Sequence, residues 1–342
     1  MTEVDIEDPG QLVSLLRDNA VLPETMTATC LTLHGGVSNR TVRVDLSDGR
    51  HWVVKQALAK LRVKDDWFCD TSRIRREAEG IRWLQRLAPP GSVPALVFEL
   101  PDHGVFGMEW VPEPHTNLKQ LLLSESVTED EIATHFASLG RFLGCVQSNA
   151  ATHQAELARA FADRRFYESL RIEPYYVASA ERVPGARAFL EALIDRSRAG
   201  CTTLVHGDFS PKNVLVTRDG LVLLDHEVIH FGDRGFDVGF MLAHALSKAH
   251  HVRPRRAAFL AGAMRFWYRY RQSAGTVDES LSVAHALGCL LARAVGKSPM
   301  DYLSPDARVR QRDVVVSMMM RPPHSIPQLI RDFGARLDAA ER

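Results

Sequence analysis

The stretch from Thr203 to Glu227, TLVHGDFSPKNVLVTRDGLVLLDHE, constrains this chain more than any other. It opens on the apolar pair Leu204-Val205, passes through a polar loop from His206 to Lys212, and continues as two short strand-like runs. The runs Val214-Leu215-Val216-Thr217 and Leu221-Val222-Leu223-Leu224 flank Arg218-Asp219-Gly220. Those three residues read as a hairpin turn with Gly available for the left-handed position. Symmetry about residue 219 sets Asn213 opposite Asp225, with Cα atoms roughly 5 Å apart. An amide and a carboxylate then meet at the open end of the hairpin, and Asp208 stands on the loop that feeds it. Such a place can hold a cation beside a base.

With 342 residues the chain can bury a sizeable core and is expected to form two units rather than one. Its formal net charge of zero gives the whole molecule no basic excess to draw it to nucleic acid or a membrane surface. The longest apolar runs fall short of a membrane span, and the acidic start (Glu3, Asp5, Glu7, Asp8) does not read as a signal peptide. Five scattered cysteines without a CxxC pair argue for reduced thiols in a cytoplasm.

Asp8-Pro9 opens a short helix through Leu12, Leu15 and Leu16. Strands follow over Thr27–His34, Arg40–Leu46 and His51–Lys55, the first two joined by Gly35-Gly36-Val37-Ser38-Asn39. A Gly-Gly turn between strands can cradle phosphate or simply turn the chain. Lys55 ends its strand, where a lysine ordinarily snorkels to the surface. The next helix, capped by Asp70-Thr71-Ser72 and running from Arg73 to Leu84, carries Ile74, Ala78, Ile81 and Leu84 on one face. Glu77 lies on the shoulder of that face and can reach Lys55 across the sheet; Glu79 is the competing partner. A paired lysine of this kind aims an ammonium at phosphate oxygens. Two more strands, Ala95–Leu100 and Val105–Val111, end at Pro112-Glu113-Pro114. Residues 1–111 therefore read as a β-rich first lobe, with a crossing near 108–114 and a mostly helical second lobe over 112–342.

That second lobe includes a long amphipathic helix from Glu129 to Ser148 and further helices over 157–166, 186–194, 257–270, 280–295, 308–319 and 326–337. From Leu246 onward Lys and Arg number 16 against 8 acidic residues, so the first 245 residues carry the compensating negative excess. A solvated basic face is the plain account; a surface that meets an anion is the sharper one.

In the central stretch, Asp208 can orient a hydroxyl and accept its proton. Asn213 and Asp225 can supply oxygen ligands to Mg²⁺, and Glu227 projects to the same side as Asp225 if the chain stays extended. Asp208 precedes Asn213 by five residues, and Asn213 precedes Asp225 by twelve. This spacing matches the catalytic Asp, metal-site Asn and second metal-site Asp of protein kinases, with Lys55, Glu77 and the Gly-Gly turn in order upstream.

The chain resembles the aminoglycoside phosphotransferase and choline kinase group, in which His-Gly-Asp-x-x-x-x-Asn replaces His-Arg-Asp. In motif style it is most similar to methylthioribose kinases, through Val54-Lys55-Gln56-Ala57-Leu58 with Arg62 and Trp67, Asp225-x-Glu227, and Gly235-Phe236-Asp237-Val238-Gly239. The resemblance implies an α+β, protein-kinase-like two-lobed fold, with a small antiparallel sheet and one main helix in the first lobe. It implies ATP and Mg²⁺ as cofactors, with Asp208 as base, Asp225 and Glu227 on the metal beside Asn213, and Lys55 on the ATP phosphates. Gly35, Gly36, Ser38, Asn39 and Glu77 then belong to the phosphate site. Met108, Glu109 and Val111 form the adenine-facing hinge, and Asp237 and His206 support the catalytic loop. The sequence departs from the methylthioribose kinase form in two ways: that form lacks the Asn present here as Asn213, and Arg321 stands without the paired C-terminal arginine expected for sugar recognition. Those departures bear on the acceptor. The expected partner is a small-molecule alcohol, sugar-like or carboxylate-bearing, with neither nucleic acid nor membrane involved and a homodimer left open. The basic C-terminal region speaks against a polycationic antibiotic as acceptor. An antibiotic (aminoglycoside-type) phosphotransferase is nonetheless the alternative within the class, and a nucleotide-binding pseudokinase scaffold the alternative from another class.

Overall fold

A computed structural model describes residues 4–34, 36–62, 66–275 and 277–342. Helix α1 (Pro9–Asp18) starts where the Asp8 carboxylate accepts the Gly10 and Gln11 N–H groups and Pro9 takes the first helical position. Strands β1 (Ala28–Thr32), β2 (Asn39–Leu46) and β3 (His51–Ala57) follow, then helix α2 (Arg73–Leu87) and strands β4 (Leu96–Leu100) and β5 (Val105–Glu109). The five strands form one antiparallel sheet in the order β1-β2-β3-β5-β4.

The two-residue period of the strands sorts their side chains onto two faces. Val42, Val44, Leu46, Trp52 and Val54 pack with Leu12, Leu15 and Leu16 of α1 in a small core. Val53 and Ala57 face the other way and join Ile74, Ala78, Ile81 and Leu84 of α2 in a core continuous with the helical lobe. Lys55 lies between Val53 and Ala57 in the alternation, so its side chain is delivered to the side where α2 and the second lobe meet.

The second lobe begins with β6 (Thr116–Asn117), α3 (Leu118–Leu123) and α4 (Glu129–Ala150), the last closed by a reciprocal Thr128–Glu131 capping box. Next come α5 (Gln154–Ala160), the single turn α6 (Arg165–Tyr167), a wide π-type helical segment Glu168–Val177, α7 (Ala178–Arg182) and α8 (Arg187–Ala199). The helix expected over 157–166 is thus broken, and the wide segment with Pro174 inside it has no counterpart in the sequence reading. Strands β7 (Thr203–Val205), β8 (Val214–Val216), β9 (Leu221–Leu223) and β10 (His230–Gly232) bracket the polar loops. β7 pairs with β10, and β6 joins the β8–β9 hairpin. Both ends of the loop from His206 to Asn213 are therefore fixed by sheet hydrogen bonds.

Helices α9 (Gly235–His251), α10 (Arg256–Ala274), α11 (Glu279–Val295), α12 (Pro305–Met319) and α13 (Ile326–Ala340) complete the chain. α9 is buried on all sides, as expected for a helix with apolar residues around its whole circumference. α4 and α10 approach closely because Gly140 has no side chain: a Cβ there would fall on the Phe266 carbonyl oxygen. Among the described residues no helix is long and apolar enough to cross a membrane.

Candidate active site

The polar loop is held from behind. The Asp237 carboxylate accepts the His206 N–H at 2.7 Å and the Gly207 N–H at 2.9 Å. Burial pushes its carboxyl up to about 7, against the pull of those two N–H groups. Gly207 takes φ +78°, and a Cβ there would press on the Val228 backbone and side chain, so glycine suits both the turn and the packing. His206 Nε2 and His226 Nδ1 are 3.0 Å apart, and burial lowers His206 to about 4. That buried pair is neutral near pH 7.

This scaffold presents Asp208. Its carboxylate meets Arg171 at 2.9 Å, the Asn213 amide at 2.8 Å and Lys212 at 3.3 Å. Burial alone would raise its pKa, but Arg171 and then Lys212 outweigh burial and hold it below the ordinary carboxylate value. Asp208 is therefore ionised at neutral pH and available as an acceptor.

The hairpin register differs from the symmetric one expected. Val214 pairs with Leu223 and Val216 with Leu221, and the Thr217 N–H donates to the Gly220 carbonyl at 2.9 Å. Gly220, at φ +140°, thus belongs to the closing pair and leaves a two-residue turn, Arg218-Asp219. Asn213 consequently faces Leu224, whose N–H donates to its carbonyl at 2.8 Å, and Asp225 lies one residue further on. Nor does the chain stay extended after the hairpin. Asp225 itself adopts φ +68°, a left-handed conformation that costs a non-glycine residue about 1 kcal/mol. That reversal turns Asp225 towards Lys55.

Lys55 Nζ lies 2.5 Å from Glu77 Oε1 and 3.1 Å from Asp225 Oδ1. Burial opposes its charge, but Asp225 and Glu77 outweigh burial and keep it protonated. Glu79 instead pairs with Arg82 at 3.1 Å on the surface. For Asp225, burial acts against ionisation and is overcome by Lys55 and then Lys212, so its carboxyl lies far below the usual range.

Glu227 is engaged with Arg73, Nε to Oε2 at 3.0 Å, and with the Asn39 amide at 3.4 Å. Arg73 is wholly buried and also donates to the Ser38 carbonyl and, at 2.8 Å, to that of Leu58. It joins the turn after β1 to the loop after β9. The sequence reading took Arg73 only as the first residue of α2 and passed over Arg171 altogether. A basic residue at a helix N-terminus, unfavourable for the helix dipole, was the one local signal for Arg73.

A cleft of about 280 Å³ between the lobes gathers Gly36, Ser38, Asn39, Lys55, Met108, Glu109, Val111, Asn213 and Asp225 in its walls, together with Trp110, His115 and Lys212. Gly35 lies outside the described residues. Asp208, Glu77 and Glu227 are not in the walls: Asp208 sits behind Asn213 and Lys212, and the two glutamates behind Lys55 and Asp225. Oxygens of Glu77, Asp225 and Glu227 lie within 4.8 Å of one another. Glu77 Oε2 is buried with no hydrogen-bond partner among the described residues, as is Asn39 Oδ1. These hard oxygen donors fit a magnesium ion, with Asp225 and Asn213 facing the cleft and the glutamates behind.

The profile described as Phosphotransferase enzyme family matches residues 29–275, most of the chain. The chain belongs to this family. The matched part of this phosphotransferase runs from the first strand of the sheet to the end of α10 and leaves α11–α13 beyond it. Methylthioribose kinase 2 of Oryza sativa subsp. japonica is 25% identical over 233 residues, which cover 60% of this chain and 53% of that protein. The phosphotransferase thus spans about half the length of the curated relatives it matches. A choline kinase from Cryptosporidium parvum Iowa II superposes with a TM-score of 0.56 at 13% identity, covering 97% of this chain and all of that one (100%). An amicoumacin kinase, solved with AMP-PNP, Ca²⁺ and its antibiotic, superposes with a TM-score of 0.53 at 16% identity over 92% of this chain and 94% of its own. At such identities the two structures establish a shared kinase-like α+β fold.

Proposed function

We propose that this phosphotransferase transfers the γ-phosphoryl group of ATP, with Mg²⁺, to a hydroxyl of a small sugar-like or carboxylate-bearing molecule. The observation that carries this reading is the division of charge around the cleft. Lys55, fixed by Glu77 and Asp225, faces the nucleotide side, while the ionised Asp208 stands beyond Asn213 at the other end. Residues 1–111 and 112–342 act as two jaws joined at 108–114. Met108, Glu109 and Val111 line the base-binding end, and Gly36, Ser38 and Asn39 cover the phosphates.

In this reading Lys55 orients phosphate oxygens, and its rotamer is set by Glu77. Asn213, Asp225 and, behind them, Glu227 would hold the magnesium ion, which supplies neutralisation of charge on the transferring group when bound. Asp208 accepts a hydrogen bond from the acceptor hydroxyl, orients its lone pair towards the phosphorus and takes the proton as the new O–P bond forms and the bond from the γ-phosphorus to the bridging oxygen breaks, releasing ADP. Arg171 and Lys212 hold the carboxylate in place. All five cysteines are free, in keeping with a cytoplasmic, ATP-consuming activity.

The test is ADP release by the purified chain against panels of metabolites and antibiotics. Asp208→Asn is expected to retain ATP binding and to lose turnover by roughly 10²-fold or more. Tight ATP binding by the native chain with no turnover on any acceptor would instead make it a nucleotide-binding scaffold, and stimulation by antibiotics alone would replace the acceptor class.

A further inference from the structure

Resting on the kinase reading above, we propose that the acceptor alcohol carries an anionic group, a carboxylate or a phosphate, held by Lys248, His244 and Arg293. A lane of contacts leads from Asp208 to these residues. Arg171, paired to Asp208, lies 5.4 Å from the Tyr175 ring and 5.5 Å from the Phe240 ring. Arg293 lies 5.1 Å and 5.6 Å from the same two rings, which stack at 6.0 Å. One turn along α9 from Phe240 stands His244, with ring centroids 5.0 Å apart, and one turn further stands Lys248. Phe240, His244 and Lys248 therefore share one face of the helix, at about 6 Å per step.

The far end of the lane gathers basic groups that are only partly answered: Arg293 Nη1 donates to the Ser298 carbonyl and hydroxyl at 2.8 and 2.9 Å, and its Nε is left over. Lys248 has no exposed surface, and its Nζ has no hydrogen-bond partner among the described residues. The same holds for His244 Nε2, Arg293 Nε and the Tyr302 hydroxyl, all buried atoms. Lys248 Nζ lies 5.4 Å from the Tyr302 ring, and Lys119 Nζ lies 5.9 Å from that ring on α3. Asp301, the carboxylate acting on Lys248, already binds Lys119 at 2.7 Å. The cations acting on His244 are Arg293, Lys248, Lys212 and Lys119, and Lys212 is also the lysine 3.3 Å from Asp208. Burying an amine without a close counter-charge is costly, and leaving three further buried polar atoms beside it unpaired adds to that cost. Packing alone would be served by Met and Leu at these positions; donors without acceptors are what an anion requires. Burial, aided by Lys119 and Arg293, lowers Lys248 to about 7, so an arriving anion would also restore its proton.

The basic surplus of the C-terminal region sharpens the point. Arg253, Arg256 and Arg310 all converge on the Glu341 carboxylate, which answers their charge, whereas Lys248 has no such close carboxylate to itself. Arg293 and Tyr302 also lie beyond the segment that matches the family profile, where features particular to this chain are expected.

The test uses the full chain with saturating ADP and Mg²⁺, so that the nucleotide cleft is filled, titrated with inorganic phosphate and separately with acetate. Tryptophan fluorescence or a thermal shift reports binding. Lys248→Met, which keeps length and apolar bulk, is expected to fold, to bind ADP within twofold of the native affinity and to weaken anion binding at least tenfold. Lys248→Gln provides the same comparison if Met disturbs packing, with circular dichroism confirming the fold of each. In ADP-release assays, hydroxy acids, sugar phosphates and uncharged polyols of matched size form three arms. Stimulation by the first or second supports the proposal and names the anion. There Lys248→Met is expected to raise acceptor KM at least tenfold with ATP KM unchanged. Turnover confined to the uncharged arm, absence of anion binding, or native anion binding in the Lys248 variants would overturn it. Lys248-dependent anion binding with no ADP release on any acceptor would leave the anion site standing and defeat the kinase reading instead.

Discussion

Glu77 and Glu79 stand two residues apart on one helix, yet their surroundings give them unlike roles. Glu77 is fully buried against Lys55, whereas Glu79 exchanges a surface contact with Arg82 that is worth well under about 1 kcal/mol. Replacing Glu77 by Ala releases the lysine from its shortest ion pair and leaves it with Asp225 at 3.1 Å. We expect turnover to fall by roughly 10²-fold, as for a misplaced reacting group, with Glu79→Ala within a factor of two or so of the native rate. Steady-state ADP release by the two variants decides the matter, and a larger loss at Glu79 would reassign the pair. Asp208, Asn213 and Asp225 stand close together in the sequence, so their neighbourhood is legible there to within one residue of register, whereas Lys55 is marked only as a lysine that ends an apolar strand. The sequence left Glu77 and Glu79 unresolved because a helix shoulder does not fix which rotamer crosses to a strand. Arg73 and Arg171 are hard to read for another reason: their partners, Glu227 and Asp208, are far away along the chain, and apart from the unfavourable place of Arg73 at a helix N-terminus nothing local marks either ion pair.

At the scale of elements, helices with a clean apolar period were legible and irregular backbone was not. α4, with Ile132, Phe136, Leu139 and Leu143 buried on one side, begins where its Thr-x-x-Glu box announces it. The wide segment over 168–177 has no repeating period and carries Pro174, so its contribution of Arg171 and Tyr175 could not be anticipated. The hairpin failed by one residue because a glycine next to Arg218-Asp219 can serve in the turn or in its closing pair, and only the pairing decides. Packing of α4 on α10 has a sharper test. In Gly140→Ala the new methyl meets the Phe266 carbonyl, and the helices must separate; we expect a loss of about 1–3 kcal/mol in urea unfolding. Gly185→Ala, whose new methyl would come no nearer than 3.8 Å to Val316, serves as the control and should leave the midpoint unchanged.

Across the whole molecule, buried histidines set the response to acid. Burial lowers His230 to about 3, with its Nδ1 bonded to the Val228 carbonyl at 2.9 Å, and lowers His206 and His250 to about 4. The ordinary histidine value is about 6.5. Below it the unfolded chain takes up protons that the folded chain refuses, so stability is complete above that pH and is lost as pH falls towards these depressed values. Each such group contributes a slope of about 1.4 kcal/mol per pH unit within that window. Asp237 and Glu77, each raised by burial to about 7, act in the opposite sense between the ordinary carboxylate value and neutrality, and the three histidines outnumber the two. Thermal melts between pH 7.5 and 5 should therefore show falling midpoints. In His230→Phe, which preserves stacking on Tyr167, the decline should be shallower by about one proton's slope; an unchanged slope would place the acid sensitivity elsewhere.

Arg73 has a mechanical consequence for the same molecule. Its guanidinium grips the Ser38 backbone on one side of the cleft and Glu227 on the other, both deep in the interior. A cleft riveted at that depth opens as scissors do, widening at the mouth while the pivot keeps its spacing. Any opening of the cleft would then be felt at its outer edge, at Trp110 and His115, and not at the back wall that Arg73 holds.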